Sequence, residues 1–367
     1  MVASCSPSCP CTQSPAARLQ RTRFALSSPQ FPIMSLTADR LADLVAFAET
    51  HLGKIDAAPV AASADASFRS YWRVRKGPHT WVVMNAPPDK EDTGPFIDVA
   101  ARLRAAGLNA PEVCARDLQQ GFLLLSDLGT RTYLPELDGL SVESLYADAL
   151  DALQTMQSRV DTGGLPRYDS QRLTAEMELF PTWFLERHLG LEDRGEHAGI
   201  IEDCMRRLLN SAAEQPMAFV HRDYHSRNLM VVPGANPGII DFQDAVIGPV
   251  TYDLVSLLKD CYIQWPLARV YGWAEGYRQR LVAAGVIEVG TTRWRRWFDW
   301  MGLQRHLKVL GIFARLNYRD GKSGYLNDLP MVLDYALTVC ARYGELAAFG
   351  EWLEEITRGV DLTGARA

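Results

Sequence analysis

Hydrophobic and polar positions follow different periods in successive parts of the chain. Residues 36–52 carry apolar side chains at helical spacing and predict an amphipathic helix. Residues 67–74 alternate and residues 80–84 form a short apolar run, which predicts two strands joined by a Lys-Gly-Pro turn. A helix is predicted at 95–106, and the apolar run within 121–129 predicts a further strand. A small sheet with one main helix is therefore expected in the first third of the chain.

Helical spacing dominates from about residue 141 onward. Helices are predicted at 141–158, 171–189, 196–213, 250–262, 267–284, 291–317 and 330–358. Short strands and loops are expected between the third and fourth of these. The order of elements predicts an α+β, bilobal chain, with a small antiparallel-sheet N-lobe at 34–129, which has the pattern of a kinase N-lobe, and a larger, mainly helical C-lobe at 130–367.

The first 33 residues differ in composition from the rest of the chain. They contain Ser, Pro, Gln and Ala with three arginines and no acidic residue. No compact apolar centre typical of a signal peptide is present, and we expect a disordered extension. Met34 precedes a helix start, so our hypothesis is that it is the natural first residue.

Composition narrows the classes of partner. The chain has 367 residues, a net charge of −6 and 47% hydrophobic residues, which suits an ordinary two-lobed globular protein. A basic footprint is absent from the composition, so we expect no nucleic-acid partner. No apolar run approaches bilayer length, so we expect no membrane association. The later cysteines have no ligand-like spacing and are interpreted as reduced thiols of a cytoplasmic protein, which we expect to be a monomer.

Two polar segments carry the chemistry. Residues 221–228 read His-Arg-Asp-Tyr-His-Ser-Arg-Asn and fit the kinase catalytic loop at each fixed position, and an Asp-Phe pair begins at Asp241. Asp223 is predicted to orient the acceptor hydroxyl and take its proton. Asn228 and Asp241 offer the hard oxygen ligands that Mg²⁺ prefers, with ATP as co-substrate.

These segments resemble the aminoglycoside phosphotransferase and choline kinase superfamily, which has the protein-kinase-like fold. Residues 84–92, 121–129 and 304–316 are similar to the anomeric kinases of bacterial cell-wall recycling that act on N-acetylmuramate and N-acetylglucosamine. The resemblance covers about residues 35–360. It implies phosphorylation of a small-molecule amino sugar to its 1-phosphate, followed by the action of a sugar-1-phosphate nucleotidyltransferase.

The resemblance also assigns supporting roles. His221 is expected to brace the catalytic loop, and Asp253 to anchor it by hydrogen bonds at a helix start. Ser126, Asp127 and Leu128 match the hinge between lobes, where backbone groups bind adenine.

The nucleotide end departs from the kinase pattern. The predicted third strand has no lysine for the α- and β-phosphates, and the preceding loop, which includes Ser67, has no glycine. Arg69 and Arg73 share one strand face by period-two geometry, and one of them or Lys90 could supply the charge. The alternative is that both arginines are solvent-exposed strand residues.

The acceptor site is expected in the helical lobe. Residues proposed to line it are Trp183, Arg187, His225, Arg305, His306, Lys308 and Arg315. A cationic cluster would suit the lactyl carboxylate of N-acetylmuramate, and a tryptophan could stack on a sugar ring. The alternative for each is a solvated charged face or a core tryptophan.

Two other functions stay open at this point. A kinase of the same fold could act on an aminoglycoside, choline or homoserine, although a cationic pocket argues against cationic aminoglycosides. The missing third-strand lysine also leaves open a nucleotide-binding regulatory protein with little turnover.

Overall fold

The computed structural model describes residues 36–64, 68–191 and 195–365. The predicted extension at 1–33 lies outside these ranges. The first elements are α1 Ala38–Leu52, β1 Val60–Ala64, β2 Ser70–Lys76, β3 His79–Asn85, α2 Gly94–Ala105, β4 Val113–Asp117 and β5 Phe122–Ser126. The strands form one antiparallel sheet in the order β1-β2-β3-β5-β4.

Both faces of this sheet are covered, which explains why β3 and β5 read as continuous apolar runs. Val83 and Leu124 are paired in register and pack with α1. Their neighbours Met84 and Leu123 are also paired and face the opposite side, in the cluster that includes α2. Because successive strand residues point to opposite faces, a strand buried on both sides loses its polar positions.

The larger lobe is mainly helical. Its helices are α3 Tyr133–Glu136, α4 Val142–Arg159, α5 Ser170–Met177, α6 Ala198–Ala213, α7 Tyr252–Leu258, α8 Leu267–Ala283, α9 Thr291–Tyr318, α10 Leu329–Cys340 and α11 Ala347–Thr357. Its strands form two antiparallel pairs, β6 Met217–Val220 with β9 Val246–Pro249 and β7 Leu229–Met230 with β8 Gly238–Ile239. Within the described ranges, the 3₁₀ segments are Gly195–His197, Ser323–Asp328 and Gly344–Leu346. The predicted α+β class is confirmed; the lobe boundary at 129/130 stays a prediction.

Helix α9 is the centre of the larger lobe. Residues 297–311 are all buried, and the helix contributes to both hydrophobic clusters of that lobe. Gly311 permits a close approach of the backbone between α5 and α6, because a Cβ there would lie 2.3 Å from the Leu179 carbonyl carbon. A helix buried on all sides cannot present the solvated charged face that its arginine and lysine residues suggested.

Three predicted helices differ from the structure. The helix predicted at 171–189 ends at Met177 and continues as a π-helical segment, Phe180–His188, whose first turn contains Pro181. Proline lacks the N–H of a regular helix, which accounts for the change of geometry. The helix predicted at 330–358 is two helices, and the one predicted at 250–262 ends at Leu258. The short, small-residue strand β1 was not predicted.

No helix in the described part of the chain combines the length and the apolar character needed to cross a membrane.

Candidate active site

A cleft of about 520 Å³ lies where the sheet meets the helical lobe. The sheet and the hinge contribute Tyr71, Arg73, Val82, Ser126, Asp127 and Leu128. The helical lobe contributes Asp223, His225, Arg227, Asn228, Asp241, Tyr262, Lys322 and Tyr325. The cleft therefore brings the three predicted catalytic and metal residues to the same place as the predicted hinge.

Asp253 holds the start of the catalytic loop, which connects β6 to β7. The main-chain N–H groups of His221 and Arg222 donate to its two carboxylate oxygens, at 2.6 and 3.0 Å. Arg222 has φ 78°, a left-handed conformation that is costly for a residue other than glycine. Burial raises the pKa of Asp253 to about 7, although both N–H bonds act in the other direction. The two hydrogen bonds from His221 and Arg222 compensate for the unfavourable backbone conformation of Arg222.

The His221 ring connects the catalytic loop to the strand before Asp241. Its Nε2 lies 3.1 Å from the Ile240 carbonyl oxygen, so Nε2 carries the proton and donates. Its Nδ1 then accepts from the Asp223 N–H at 3.3 Å. Burial lowers the pKa of His221 to about 4, which keeps the ring neutral. A fixed tautomer thus couples the positions of the two aspartates.

A second buried carboxylate, which the sequence interpretation missed, holds the middle of the loop. Asp260 accepts from the Ser226 N–H at 2.9 Å and from the Ser226 hydroxyl at 2.5 Å, and its other oxygen accepts from the Tyr262 N–H at 3.1 Å. Asp260 follows Asp253 by seven residues but lies beyond the end of α7 at Leu258, so helical spacing does not explain its position. No local pattern in the sequence indicates this role.

Asp223 is partly buried and lines the cleft. Burial alone would raise its pKa, but nearby positive charges, that of Lys308 first and those of Arg305 and Arg222 as well, hold the pKa below its usual value. The carboxylate is therefore ionised near neutral pH and can accept a proton.

Asn228 and Asp241 stand side by side next to this base. Asn228 Nδ2 lies 3.1 Å from Asp241 Oδ2, and Gln243 donates to Oδ1 at 2.8 Å. Adjacent ligands of an octahedral Mg²⁺ with bonds of ~2.1 Å are about 3 Å apart, so two side chains in direct contact are close enough to share one ion. Asp241 has φ 64°, a further left-handed residue at this site. The donor set suits a hard cation that keeps water and phosphate ligands.

Arg73 reaches the cleft, but its guanidinium is already engaged by the hinge. Its Nε and Nη2 donate to the two carboxylate oxygens of Asp127 at 2.6 and 3.0 Å, and Nη2 also donates to the Gly129 carbonyl at 2.8 Å. Such a bidentate pair fixes β2 to the segment that joins the lobes. The structure thus gives the Asp127 side chain a role in joining the sheet to the hinge.

The other predicted phosphate-binding groups are not brought into the cleft. Arg69 lies 3.8 Å from Glu91, and the exposed Lys90 lies 3.6 Å from Asp89. Neither cation lines the cleft. Ser67 lies outside the described residues.

The hinge residues differ in whether their main-chain groups already form hydrogen bonds. Ser126 donates its N–H to the Glu112 carbonyl at 2.9 Å, and its hydroxyl accepts from the Glu112 N–H at 2.8 Å. Among the described residues, the main chain of Leu128 makes no hydrogen bond. Leu128 therefore has backbone groups to offer a ligand, and Ser126 mainly closes the sheet.

Arg305 and Lys308 belong to α9. Their side chains are buried in the protein interior and do not line the cleft. Lys308 Nζ is 3.1 Å from a Glu176 carboxylate oxygen and donates to the Tyr252 hydroxyl at 3.1 Å. Glu176 also binds the Arg222 side chain. These charges act on the base from the protein side, which differs from the acceptor-contacting role predicted for them.

Four other predicted acceptor residues also lie outside the cleft lining. His306 stacks on Tyr335 with ring centroids 4.7 Å apart, and burial lowers its pKa to about 3. Trp183 and Arg187 belong to the π-helical segment, and Arg315 lies far along α9. Helical spacing alone did not reveal which way these side chains face.

His225 is the predicted acceptor residue that does line the cleft. It is only 8% exposed, and its Nδ1 has no hydrogen-bond partner among the described residues. Burial lowers its pKa, and its ring meets Tyr262 edge-on at 5.4 Å. A buried nitrogen without a partner is available to a bound molecule.

The sequence interpretation missed several further cleft residues. Arg227 lies over the Tyr262 ring, 3.5 Å from its centroid, and Lys322 and Tyr325 line the same side. Arg227 directly precedes Asn228 in the catalytic segment, and this adjacency could have indicated it.

Comparisons with known proteins agree with this arrangement. The model of a family described as the phosphotransferase enzyme family matches residues 60–297. A Pseudomonas aeruginosa protein named N-acetylmuramate/N-acetylglucosamine kinase is 47% identical over 304 residues, which are 82% of this chain and 89% of the relative. A protein of the same name from Neisseria meningitidis is 40% identical over 307 residues, 82% of this chain and 91% of the relative.

Solved structures are similar in fold at much lower identity. An ADP-bound aminoglycoside phosphotransferase has a TM-score of 0.55 at 15% identity, covering 80% of this chain and 97% of its own. The choline kinase LicA from Streptococcus pneumoniae has a TM-score of 0.58 at 11% identity, covering 82% and 99%. These likenesses concern the fold alone.

Proposed function

Because this chain belongs to the phosphotransferase enzyme family, we propose that it transfers the γ-phosphoryl group of ATP to the anomeric hydroxyl of N-acetylmuramate and N-acetylglucosamine. The observation that carries the substrate assignment is the 47% identity, over most of both chains, to a relative named for these two sugars. The cleft supports the reaction class, since it collects a base and a pair of hard oxygen ligands opposite a hinge.

Asp223 is the proposed catalytic base. It lines the cleft as an ionised carboxylate, so it can accept a hydrogen bond from the acceptor hydroxyl and then its proton. An anomeric hydroxyl is more acidic than an ordinary alcohol, so orientation of its oxygen is the larger part of the task. Asp253 and His221 support this by fixing the backbone on which Asp223 is carried.

Asn228 and Asp241 are the proposed ligands of Mg²⁺, which when bound neutralises charge on the nucleotide phosphates. Leu128 is the proposed contact of the adenine through its main chain, in the segment that Arg73 and Asp127 hold against the sheet. Arg73 is not a proposed phosphate contact, because three hydrogen bonds already occupy its guanidinium.

The product would be a sugar 1-phosphate. We propose that a nucleotidyltransferase consumes it, as the next step of cell-wall recycling. We further propose a cytoplasmic monomer without a nucleic-acid partner, since ATP is supplied in the cytoplasm and Cys114, Cys204, Cys261 and Cys340 are free thiols.

The test is ADP release from Mg-ATP by the purified protein with each acceptor in turn. The acceptors are N-acetylmuramate, N-acetylglucosamine, their 1-O-methyl glycosides, kanamycin and choline. Turnover with the free sugars that is lost with the methyl glycosides supports anomeric phosphorylation. Turnover with kanamycin or choline alone would overturn the substrate, and silence with all acceptors would favour a nucleotide-binding protein.

A further inference from the structure

We propose that Arg227 is a specificity-determining residue that binds the lactyl carboxylate of N-acetylmuramate, an inference that rests on the proposed function. The two proposed acceptors differ by this one charged group. A cationic side chain that binds this carboxylate would therefore strengthen the binding of N-acetylmuramate and would not be required for N-acetylglucosamine.

Arg227 occupies a suitable position for such a contact. It lies in the catalytic loop between the buried anchor residue Ser226 and the proposed metal ligand Asn228, and like Asp223 it lines the cleft. An acceptor whose hydroxyl meets Asp223 therefore shares one cleft with this guanidinium. Within residues 36–64, 68–191 and 195–365, Arg227 has no hydrogen bond or ion pair, unlike Arg73 at the other end of the cleft.

The guanidinium is held in place by an aromatic ring. Its central carbon is 3.5 Å from the Tyr262 centroid, and Tyr262 in turn contacts His225 and Phe313. Stacking on a ring face orients a guanidinium and leaves its N–H groups at the edge for a planar carboxylate. The arrangement is thus prepared for a bidentate contact without breaking an existing one.

Among the described residues Arg227 forms no ion pair, although two carboxyl groups lie in its surroundings. Asp260 is nearby but is fully buried and accepts three hydrogen bonds from the loop and Tyr262. Burial raises the pKa of Asp328 to about 6 and the charge of Arg227 acts in the opposite direction, so this carboxyl is mostly ionised at neutral pH and partly offsets the charge of Arg227. Lys322 lines the same side and adds positive charge.

The same wall suits the sugar that both acceptors share. Tyr325 lines the cleft and offers a ring against which the C–H groups of a pyranose can pack, while the Tyr262 ring carries Arg227. N-acetylglucosamine would use this surface and the His225 nitrogen, whereas N-acetylmuramate would add the bond to Arg227. One site can in this way accept both sugars.

The experiment measures kcat/KM of wild type and Arg227→Met with three acceptors. These are N-acetylmuramate, its derivative with the lactyl carboxylate converted to an amide, and N-acetylglucosamine. We expect the variant to lose about 10- to 100-fold with N-acetylmuramate relative to N-acetylglucosamine, because a charge-assisted hydrogen bond is removed. The wild-type preference for the carboxylate over its amide should nearly disappear, mainly through KM.

Two further variants complete the design. Arg227→Lys retains the charge and should recover part of the preference, and Arg293→Met removes an exposed arginine outside the cleft and should change neither ratio. Equal losses with all three acceptors, or no loss, would overturn the inference. Wild-type silence with both free sugars would instead overturn the proposed function, so the two failures are distinguishable.

Discussion

Replacement of Asp253 by Asn tests the account of how the catalytic loop is held. The wild-type carboxylate accepts one main-chain N–H on each oxygen, at 2.6 and 3.0 Å, in a fully buried position. Asn has nearly the same size but only one acceptor oxygen, and its NH₂ group would face the second N–H. One buried donor therefore loses its partner.

The size of the effect follows from counting these donors. An unsatisfied buried donor costs about 1–3 kcal/mol, so the free energy of unfolding should fall by roughly that amount in Asp253→Asn. Asp253→Ala leaves both donors unsatisfied and should cost about 2–6 kcal/mol, with a small cavity in addition. Arg222 is then free to leave its left-handed conformation, which displaces Asp223 and should lower kcat by about 10- to 100-fold.

The assay is denaturant unfolding followed by the fluorescence of the nine tryptophans, together with ADP release. Asp89→Asn is the control, because that side chain is 72% exposed and its one ion pair is long at 3.6 Å. The control should stay within about 0.5 kcal/mol of wild type. If Asp253→Asn is as stable and as active as this control, the anchoring argument is wrong.

Three further predictions concern other parts of the molecule. Asp241→Ala should weaken nucleotide binding about tenfold or more in the presence of Mg²⁺ and have little effect without it, as calorimetric titration with and without a chelator will show; equal weakening in both would contradict a metal role. Arg73→Met should lower the free energy of unfolding by ~1–3 kcal/mol, whereas the exposed Arg75→Met should not; similar values for both would refute the hinge clamp. Gly311→Ala should cost about 1–3 kcal/mol by overpacking, while Gly272→Ala, with open space around it, should be neutral or stabilising in thermal unfolding; the reverse order would refute the packing.

The catalytic segment could be predicted from the sequence because its chemistry is local. Asp223 and Asn228 lie five residues apart on one loop, and Asp241 follows a short strand, so few long-range contacts decide where they meet. The fold class was predictable for a similar reason, since the change from alternating to helical spacing is visible along the chain.

The acceptor side could not be predicted in the same way. Arg305 and Lys308 have the spacing of a charged helix face, but α9 is buried all round and turns both toward the back of Asp223. Tyr262 and Lys322 reach the cleft from loops that follow α7 and α9, where no periodicity indicates direction. Which side chains share a pocket there depends on how distant helices pack, and that information is absent from local patterns.

The most direct test of the central claim is phosphorus and proton NMR of the product formed from Mg-ATP and N-acetylglucosamine, with Asp223→Asn in parallel. We predict a single phosphate ester on C1, coupled to the anomeric proton, and no such product with the variant. A phosphate on any other hydroxyl, or ATP hydrolysis without a sugar phosphate, would contradict the proposal.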